Sequence, residues 1–175
     1  MNIITNESGT FTINRQGVLT DFRCARKNEL RENVWWHLDI PEGVRVIPED
    51  AFEGCEIINQ LTFPQSLRVI GTGFAGTFTR CRLPHVELPE TLEELGCYAF
   101  AGSTIRSLRI PRGLRSIYNR QFKASIIGTL YLPEEFRAED TPRGFCEKHE
   151  WGREQYGYIR SILVNDVKIG EVLFE

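Results

Sequence analysis

The residues in this chain best suited to chemistry are a glycine-rich run, five cysteines, three histidines and a cluster of arginines. Gly71-Thr72-Gly73-Phe74-Ala75-Gly76 matches the fingerprint of a dinucleotide-binding turn, where glycines let backbone approach a pyrophosphate at a helix N-terminus. That chemistry also needs a helix opening at the third glycine and an acidic residue about 20 positions on. Glu94 lies near that offset, but Thr77-Phe78-Thr79-Arg80-Cys81 is a poor helix start. Turn glycines are the expected reading, with no cofactor. Cys24, Cys55, Cys81, Cys97 and Cys146 are odd in number and include no Cys-x-x-Cys. Reduced thiols acting as small apolar residues are expected, not disulfides or a zinc site. A nucleophilic cysteine would want a nearby histidine, and the chain has only His37, His85 and His149. We expect no catalytic and no metal site.

Charge is more informative. Net charge is −3 with 26% charged residues, which gives no overall bias toward nucleic acid or anionic membranes. Locally, no acidic residue lies between Glu94 and Glu134, while Arg106, Arg109, Arg112, Arg115, Arg120 and Lys123 accumulate. Glu87, Glu90, Glu93 and Glu94 come just before them. The pairs Glu87–Arg109, Glu90–Arg112 and Glu93–Arg115 are each 22 residues apart. They are expected to face one another as cross-strand ion pairs, with a basic ligand patch as the alternative. No aromatic residue interleaves the arginines from Arg106 to Arg115 as base stacking would require, so nucleic acid is not an expected partner.

The offset of 22 points to the elements that position these side chains. Leu38-Asp39-Ile40-Pro41, Leu61-Thr62-Phe63-Pro64, Val86-Glu87-Leu88-Pro89, Leu108-Arg109-Ile110-Pro111 and Leu130-Tyr131-Leu132-Pro133 are one phrase repeated, with prolines 23, 25, 22 and 22 apart. A fixed period in this range is the mark of a solenoid. Apolar residues alternate within each phrase, the period of a strand with one buried face, and the proline ends the ladder because it has no N–H. Three residues after the prolines come Val44, Leu67, Leu92, Leu114 and Phe136; three further on come Ile47, Ile70, Leu95 and Ile117, predicting a second strand per coil. Phe52, Phe74, Phe100, Phe122 and Phe145 are expected to close the coils from inside as a stacked column. Cys55 and Cys81 share a repeat position that Ser103 and Ser125 fill later, which predicts a buried column of small residues.

The ends read as caps. Thr10–Ile13 and Gly17–Phe22 form a predicted hairpin turning at Asn14-Arg15-Gln16-Gly17. Thr141 and Pro142 predict the start of a short helix with Phe145, His149 and Tyr156 on one face. Ile159-x-x-Ile162-x-Val164 restores the strand pattern, and Val167–Phe174 is expected to fold back. The expectation is one mostly β domain over residues 1–175: an N-terminal cap over 1–34, about five coils of 22–25 residues over 35–133, and a degenerate repeat with a helix/strand cap over 134–175. Met1–Glu7 has no basic segment and no apolar run, and no stretch reaches transmembrane length. As written, a cytoplasmic location is expected; a leader removed upstream would place the protein at the cell surface or outside.

The repeated unit, aliphatic-x-aliphatic-Pro-x-x-aliphatic-x-x-Ile-Gly followed by Ala-Phe and Gly-Cys, resembles the BspA-type, or Treponema-type, leucine-rich repeat. Pro41-Glu42-Gly43-Val44 through Ala51-Phe52-Glu53-Gly54-Cys55 is close to that pattern, as are Pro89 through Ala99-Phe100-Ala101-Gly102 and the opening Gly17-Val18-Leu19-Thr20. The resemblance covers about residues 10–145. It implies a curved solenoid with a parallel sheet on one face, and a place among mostly bacterial or protist surface proteins that bind other proteins.

If Leu61 and Phe63 point inward, Gln60 and Thr62 point outward, and every phrase follows suit. The outward columns are then His37, Gln60, His85, Ser107, Thr129 and Asp39, Thr62, Glu87, Arg109, Tyr131. His37 and His85 fall about 10 Å apart, too far to share a metal ion. This mixed polar face suits a protein or peptide partner, with Arg109 and Tyr131 as the residue types that most often anchor interfaces. Trp36 could add an exposed aromatic at one end. The expectation is a non-catalytic binding module; the alternative is a structural subunit that self-associates through its caps.

Overall fold

The computed structural model describes residues 1–25, 37–52, 58–114, 119–133, 158–164 and 167–171. The chain opens with a three-stranded antiparallel sheet of β1 (Asn2–Asn6), β2 (Gly9–Ile13) and β3 (Leu19–Cys24), with β2 central. The expected hairpin is β2–β3. Strand β1 was not signalled by the sequence, because its residues lie mostly exposed and carry no buried alternation. Asn14 holds the hairpin turn, its side-chain oxygen accepting the N–H groups of Gln16 at 2.8 Å and Val18 at 3.0 Å.

Two short strands per coil follow. The first coil has β4 (His37–Asp39) and β5 (Val46–Ile47), the second β6 (Gln60–Thr62) and β7 (Val69–Ile70), the third β8 (Arg82–Glu87) and β9 (Glu94–Leu95). Then come β10 (Thr104–Arg109), β11 (Ile126–Leu132), β12 (Tyr158–Val164) and the returning β13 (Val167–Glu171). The first strands pair in parallel, β4 with β6, and β8 with β10, β11 and β12 in series; β13 pairs antiparallel with β12. Leu83, Ile105 and Ile127 share one register row, and Val86, Leu108 and Leu130 another. The second strands β5, β7 and β9 form their own parallel sheet, aligning Ile47, Ile70 and Leu95.

At each proline the chain turns. The N–H groups of Val44, Leu67, Leu92 and Leu114 bond the carbonyls of Pro41, Pro64, Pro89 and Pro111, three residues back, at 3.4, 3.2, 2.9 and 3.4 Å. The first aliphatic after the proline therefore sits on the turn, and only the second belongs to the strand. The N-terminal hairpin stands in for a coil beneath the first one. The Gly17 carbonyl accepts the N–H groups of Arg45 and Val46, as the Arg45 carbonyl accepts those of Arg68 and Val69, and the Arg68 carbonyl those of Glu93 and Glu94. On the other side Ser8 seals the edge of β4: its hydroxyl donates to the His37 carbonyl at 2.8 Å and accepts the Asp39 N–H at 2.7 Å.

The interior is a phenylalanine spine. Phe11, Phe22, Phe52, Phe78, Phe100 and Phe122 succeed one another with ring centroids 4.7, 5.1, 4.9, 5.3 and 5.7 Å apart. From Phe52 onward the rings are nearly parallel, within 12° of one another. One expectation is corrected here. Phe74 is not in the spine; it is 80% exposed, and Phe78 takes the place. The coil from Pro64 to Pro89 carries three residues more than its successor, inserted between Ile70 and Phe78, and they push Phe74 outward. Phe136, Phe145, Trp35, Trp36, Cys55, Ile117 and the expected helix after Pro142 lie outside the described residues.

Beside the spine runs the small-residue column. Cys81, Ser103 and Ser125 are each about 1% exposed. Ser103 Oγ donates to the Phe78 carbonyl at 2.7 Å and accepts the Cys81 N–H at 3.0 Å. Ser125 Oγ donates likewise to the Phe100 carbonyl at 2.6 Å. These hydroxyls tie each coil to the one before it, satisfying backbone groups that no water can reach.

Candidate interaction surface

The ten residues of the two outward columns divide between two sheets. His37, Asp39, Gln60 and Thr62 lie on β4 and β6; His85, Glu87, Ser107, Arg109, Thr129 and Tyr131 lie on β8, β10 and β11. The former run of strands is interrupted between β6 and β8, where the chain is joined by the Ile58 N–H on the Arg82 carbonyl at 3.2 Å. His37, Gln60, Thr62, His85 and Glu87 are exposed, while Asp39, Ser107, Arg109, Thr129 and Tyr131 are half-buried. All therefore contribute surface to the outer face.

Side chains on that face pair sideways along the stack. A ring nitrogen of His37 bonds the Thr62 hydroxyl at 2.9 Å, and one of His85 bonds the Ser107 hydroxyl at 2.6 Å. The Ser161 hydroxyl lies 3.1 Å from that of Thr129. The two exposed histidines are thus engaged by hydroxyls on neighbouring strands. The Arg109 guanidinium lies over the Tyr131 ring, 4.7 Å from its centroid. That contact holds both long side chains flat against the sheet.

The expected ion-pair ladder takes a different form. Glu87 and Arg109 are register partners, but the guanidinium spreads over Tyr131. Glu90 does reach the Arg112 position, where its carboxylate accepts the backbone N–H at 3.2 Å. Glu42 does the same two coils earlier, accepting the N–H groups of Gln65 at 2.7 Å and Ser66 at 3.2 Å. A fixed backbone donor costs less side-chain ordering than a mobile guanidinium, which favours this arrangement. Glu93 pairs with Arg68 at 3.6 Å, and Arg115 lies outside the described residues.

The glycine-rich run builds an outward loop and not a phosphate cradle. Residues 71–81 contain no helix. The Ala75 N–H, which would have faced a phosphate, donates to the Glu49 carboxylate at 3.0 Å. A Cβ on Gly73 would meet that carboxylate, so a larger residue there would have to displace the Glu49 side chain. A second bond, from the Asp50 N–H to the Gly76 carbonyl at 3.0 Å, fixes the far side of the loop. A negative charge in the loop repels an anion where the fingerprint would bind one.

The sequence reading missed this loop. It flanks a groove of about 600 Å³ lined by Val46, Val69, Gly71, Thr72, Gly73, Phe74, Glu94, Leu95, Gly96 and Cys97. The signal was present in the spacing around the small-residue column. Phe52, Phe78, Phe100 and Phe122 each precede Cys55, Cys81, Ser103 and Ser125 by three residues, whereas the residue three after Phe74 is the bulkier Thr77.

Among the described residues no group of three or more histidine, cysteine or acidic side chains converges as a metal site would require. No described helix is long and apolar enough to cross a membrane. No curated protein matches the chain significantly. A family model described as the BspA-type leucine-rich repeat region matches residues 31–139 in six copies, one more than the five proline phrases. Parallel strands that recur once per coil, the proline turns and the phenylalanine spine are the structural side of the same repeat, and the chain belongs to the BspA-type leucine-rich repeat family.

Proposed function

We propose that this protein is a non-catalytic recognition module that binds a protein or peptide on the outer face of β8, β10 and β11. The observation that carries the reading is the Arg109–Tyr131 stack, a cation laid on an aromatic ring in the middle of a parallel sheet. Arginine and tyrosine are the side chains that most often dominate interface energetics, and these two are already ordered before a partner arrives. The lateral bonds His85–Ser107 and Thr129–Ser161 stiffen the flanking columns in the same way. Membership of a leucine-rich-repeat family supports a binding or structural role of this general kind.

The test is a comparison of wild type with the Arg109→Glu/Tyr131→Ala double variant in pull-downs from native cell lysate and from extracellular host proteins. Partners captured by the wild type and lost by the variant support this surface; partners held equally by both overturn it. Self-association through the β4 edge is disfavoured. Ser8 and Asn6 already occupy the hydrogen-bonding groups of the β4 edge, Asn6 Nδ2 donating to the Asp39 carbonyl at 2.8 Å.

A further inference from the structure

The strongest anomaly in the molecule lies away from the face just described. Phe74 is a large apolar side chain left 80% exposed, at the tip of an insertion found in one coil. An exposed aromatic on a floppy loop would mean little. This one is clamped, by the Glu49 carboxylate on the Ala75 N–H at 3.0 Å and by the Asp50 N–H on the Gly76 carbonyl at 3.0 Å. Immediately after it, Thr77 and Phe78 are fully buried and anchor the loop to the spine. The ring is therefore held out from a rigid base.

Beside it lies the groove of about 600 Å³ on the second-strand sheet. Val46 and Val69, register partners on β5 and β7, present half-buried side chains to it, and half-buried Cys97 adds to its lining. Close approach of Gly96 to Gly71 keeps the floor low, since a Cβ on Gly96 would come within 2.6 Å of the Gly71 carbonyl oxygen. Among the described residues Glu94 is the one charged side chain in the lining, and it is exposed with no ion-pair partner there. Its neighbour Glu93 is the one that Arg68 takes. Apolar walls, an aromatic face and one available carboxylate are complementary to an apolar side chain adjoining a cation.

We infer that this groove is a second docking surface, independent of the strand-face reading. Its occupant is a segment of a partner protein in which an aliphatic or aromatic residue stands next to lysine or arginine. Phe74 and the two valines enclose the apolar side chain. The cation lies between the Phe74 ring face and the Glu94 carboxylate.

The test uses the whole chain and a random linear peptide display library. The proposal expects selection on the wild type to enrich peptides with a basic residue beside an apolar one. Binding of a synthetic enriched peptide, read by fluorescence anisotropy, should weaken by about tenfold or more in Phe74→Ser, as loss of an interface anchor does. Both Phe74 and Glu94 are exposed, so these variants keep the fold, which circular dichroism and the urea midpoint verify. Reselection on Glu94→Lys should replace the basic residue with an acidic one, a reversal that a merely structural role could not produce. Tyr131→Ala should bind the peptide as the wild type does, which separates this surface from the strand face. The proposal is overturned if selection enriches nothing, if Phe74→Ser binds equally well, or if Glu94→Lys selects the same peptides. It is also overturned if sedimentation finds a dimer abolished by Phe74→Ser, for the occupant would then be a second copy of this chain.

Discussion

Two phenylalanines four residues apart divide the second coil into two regions with opposite roles. Phe78 is fully buried, stacked at 4.9 Å on Phe52 and 5.3 Å on Phe100, and gripped at its carbonyl by the Ser103 hydroxyl. Phe74 is held just as firmly through its neighbours' backbone, yet its ring faces solvent above a groove. The contrast teaches that in this array the repeat register governs the interior, and that the surface gains individuality where the register is interrupted. The regular coils from Pro89 onward bury every spine ring and leave no large exposed apolar side chain among their described residues.

Truncating each ring in turn is the sharpest way to break the comparison. Phe78→Ala removes a ring from the middle of a close-packed stack, and should cost about 3–5 kcal/mol, as phenylalanine-to-alanine changes in cores do. Phe74→Ala should change stability by no more than about 0.5 kcal/mol, as for exposed positions. Urea denaturation midpoints decide the matter. Equal losses would mean that the two rings share the burial, and the division of the coil would fall.

A smaller effect tests what fixes Phe78 in register. Ser103→Ala leaves the Phe78 carbonyl and the Cys81 N–H without the hydroxyl that serves both, in an interior closed to water. The expected loss is about 1–3 kcal/mol, the cost of unsatisfied buried polar groups. An isosteric surface change, Ser107→Ala, forfeits only the exposed bond to His85 and should lie within about 0.5 kcal/mol of wild type. A Ser103→Ala variant as stable as the wild type would show that the column is packing alone.

The same contrast explains what could be read before the structure. The two strands per coil are legible because proline, alternating aliphatics and the period recur together, and several independent signals then agree on one register. The hairpin is legible from Asn14 and Gly17, whose side-chain and backbone requirements suit a turn. Phe74 was misplaced because the proline was used as the ruler, and a ruler laid across an insertion counts wrongly. Measured backward from the next strand, Phe78 precedes Leu83 by five residues, just as Phe100 precedes Ile105 and Phe122 precedes Ile127. The Glu87–Arg109 and Glu90–Arg112 rungs depart from the expected ion pairs for a different reason. A repeat offset of 22 sets which residues are neighbours, as it did for Glu87 and Arg109, but rotamers choose between a carboxylate, a ring and a backbone N–H. On β1 no fully buried residue marks a period; the strand is held by pairing with β2, by half-buried Ile4 against the core and by the Asn6 side chain on the Asp39 carbonyl.

A deletion with only a small expected effect on stability is the most direct test of the insertion. Deleting Thr72, Gly73 and Phe74 leaves Gly71-Ala75-Gly76-Thr77-Phe78, which restores the spacing of Gly96-Cys97-Tyr98-Ala99-Phe100 in the next coil. The deletion removes the Glu49 clamp but leaves Thr77 and Phe78 attached to an interior that does not otherwise change. Loop length itself enters stability weakly, about 0.6 kcal/mol for each doubling, so the shortened protein should stay within about 1 kcal/mol of wild type. It should keep the cooperative urea transition and lose the Phe74-dependent peptide binding entirely. A deletion that unfolds the array would mean that the loop is part of the second coil's structure. The insertion would then be a support for the spine, and the exposed ring a by-product of building it.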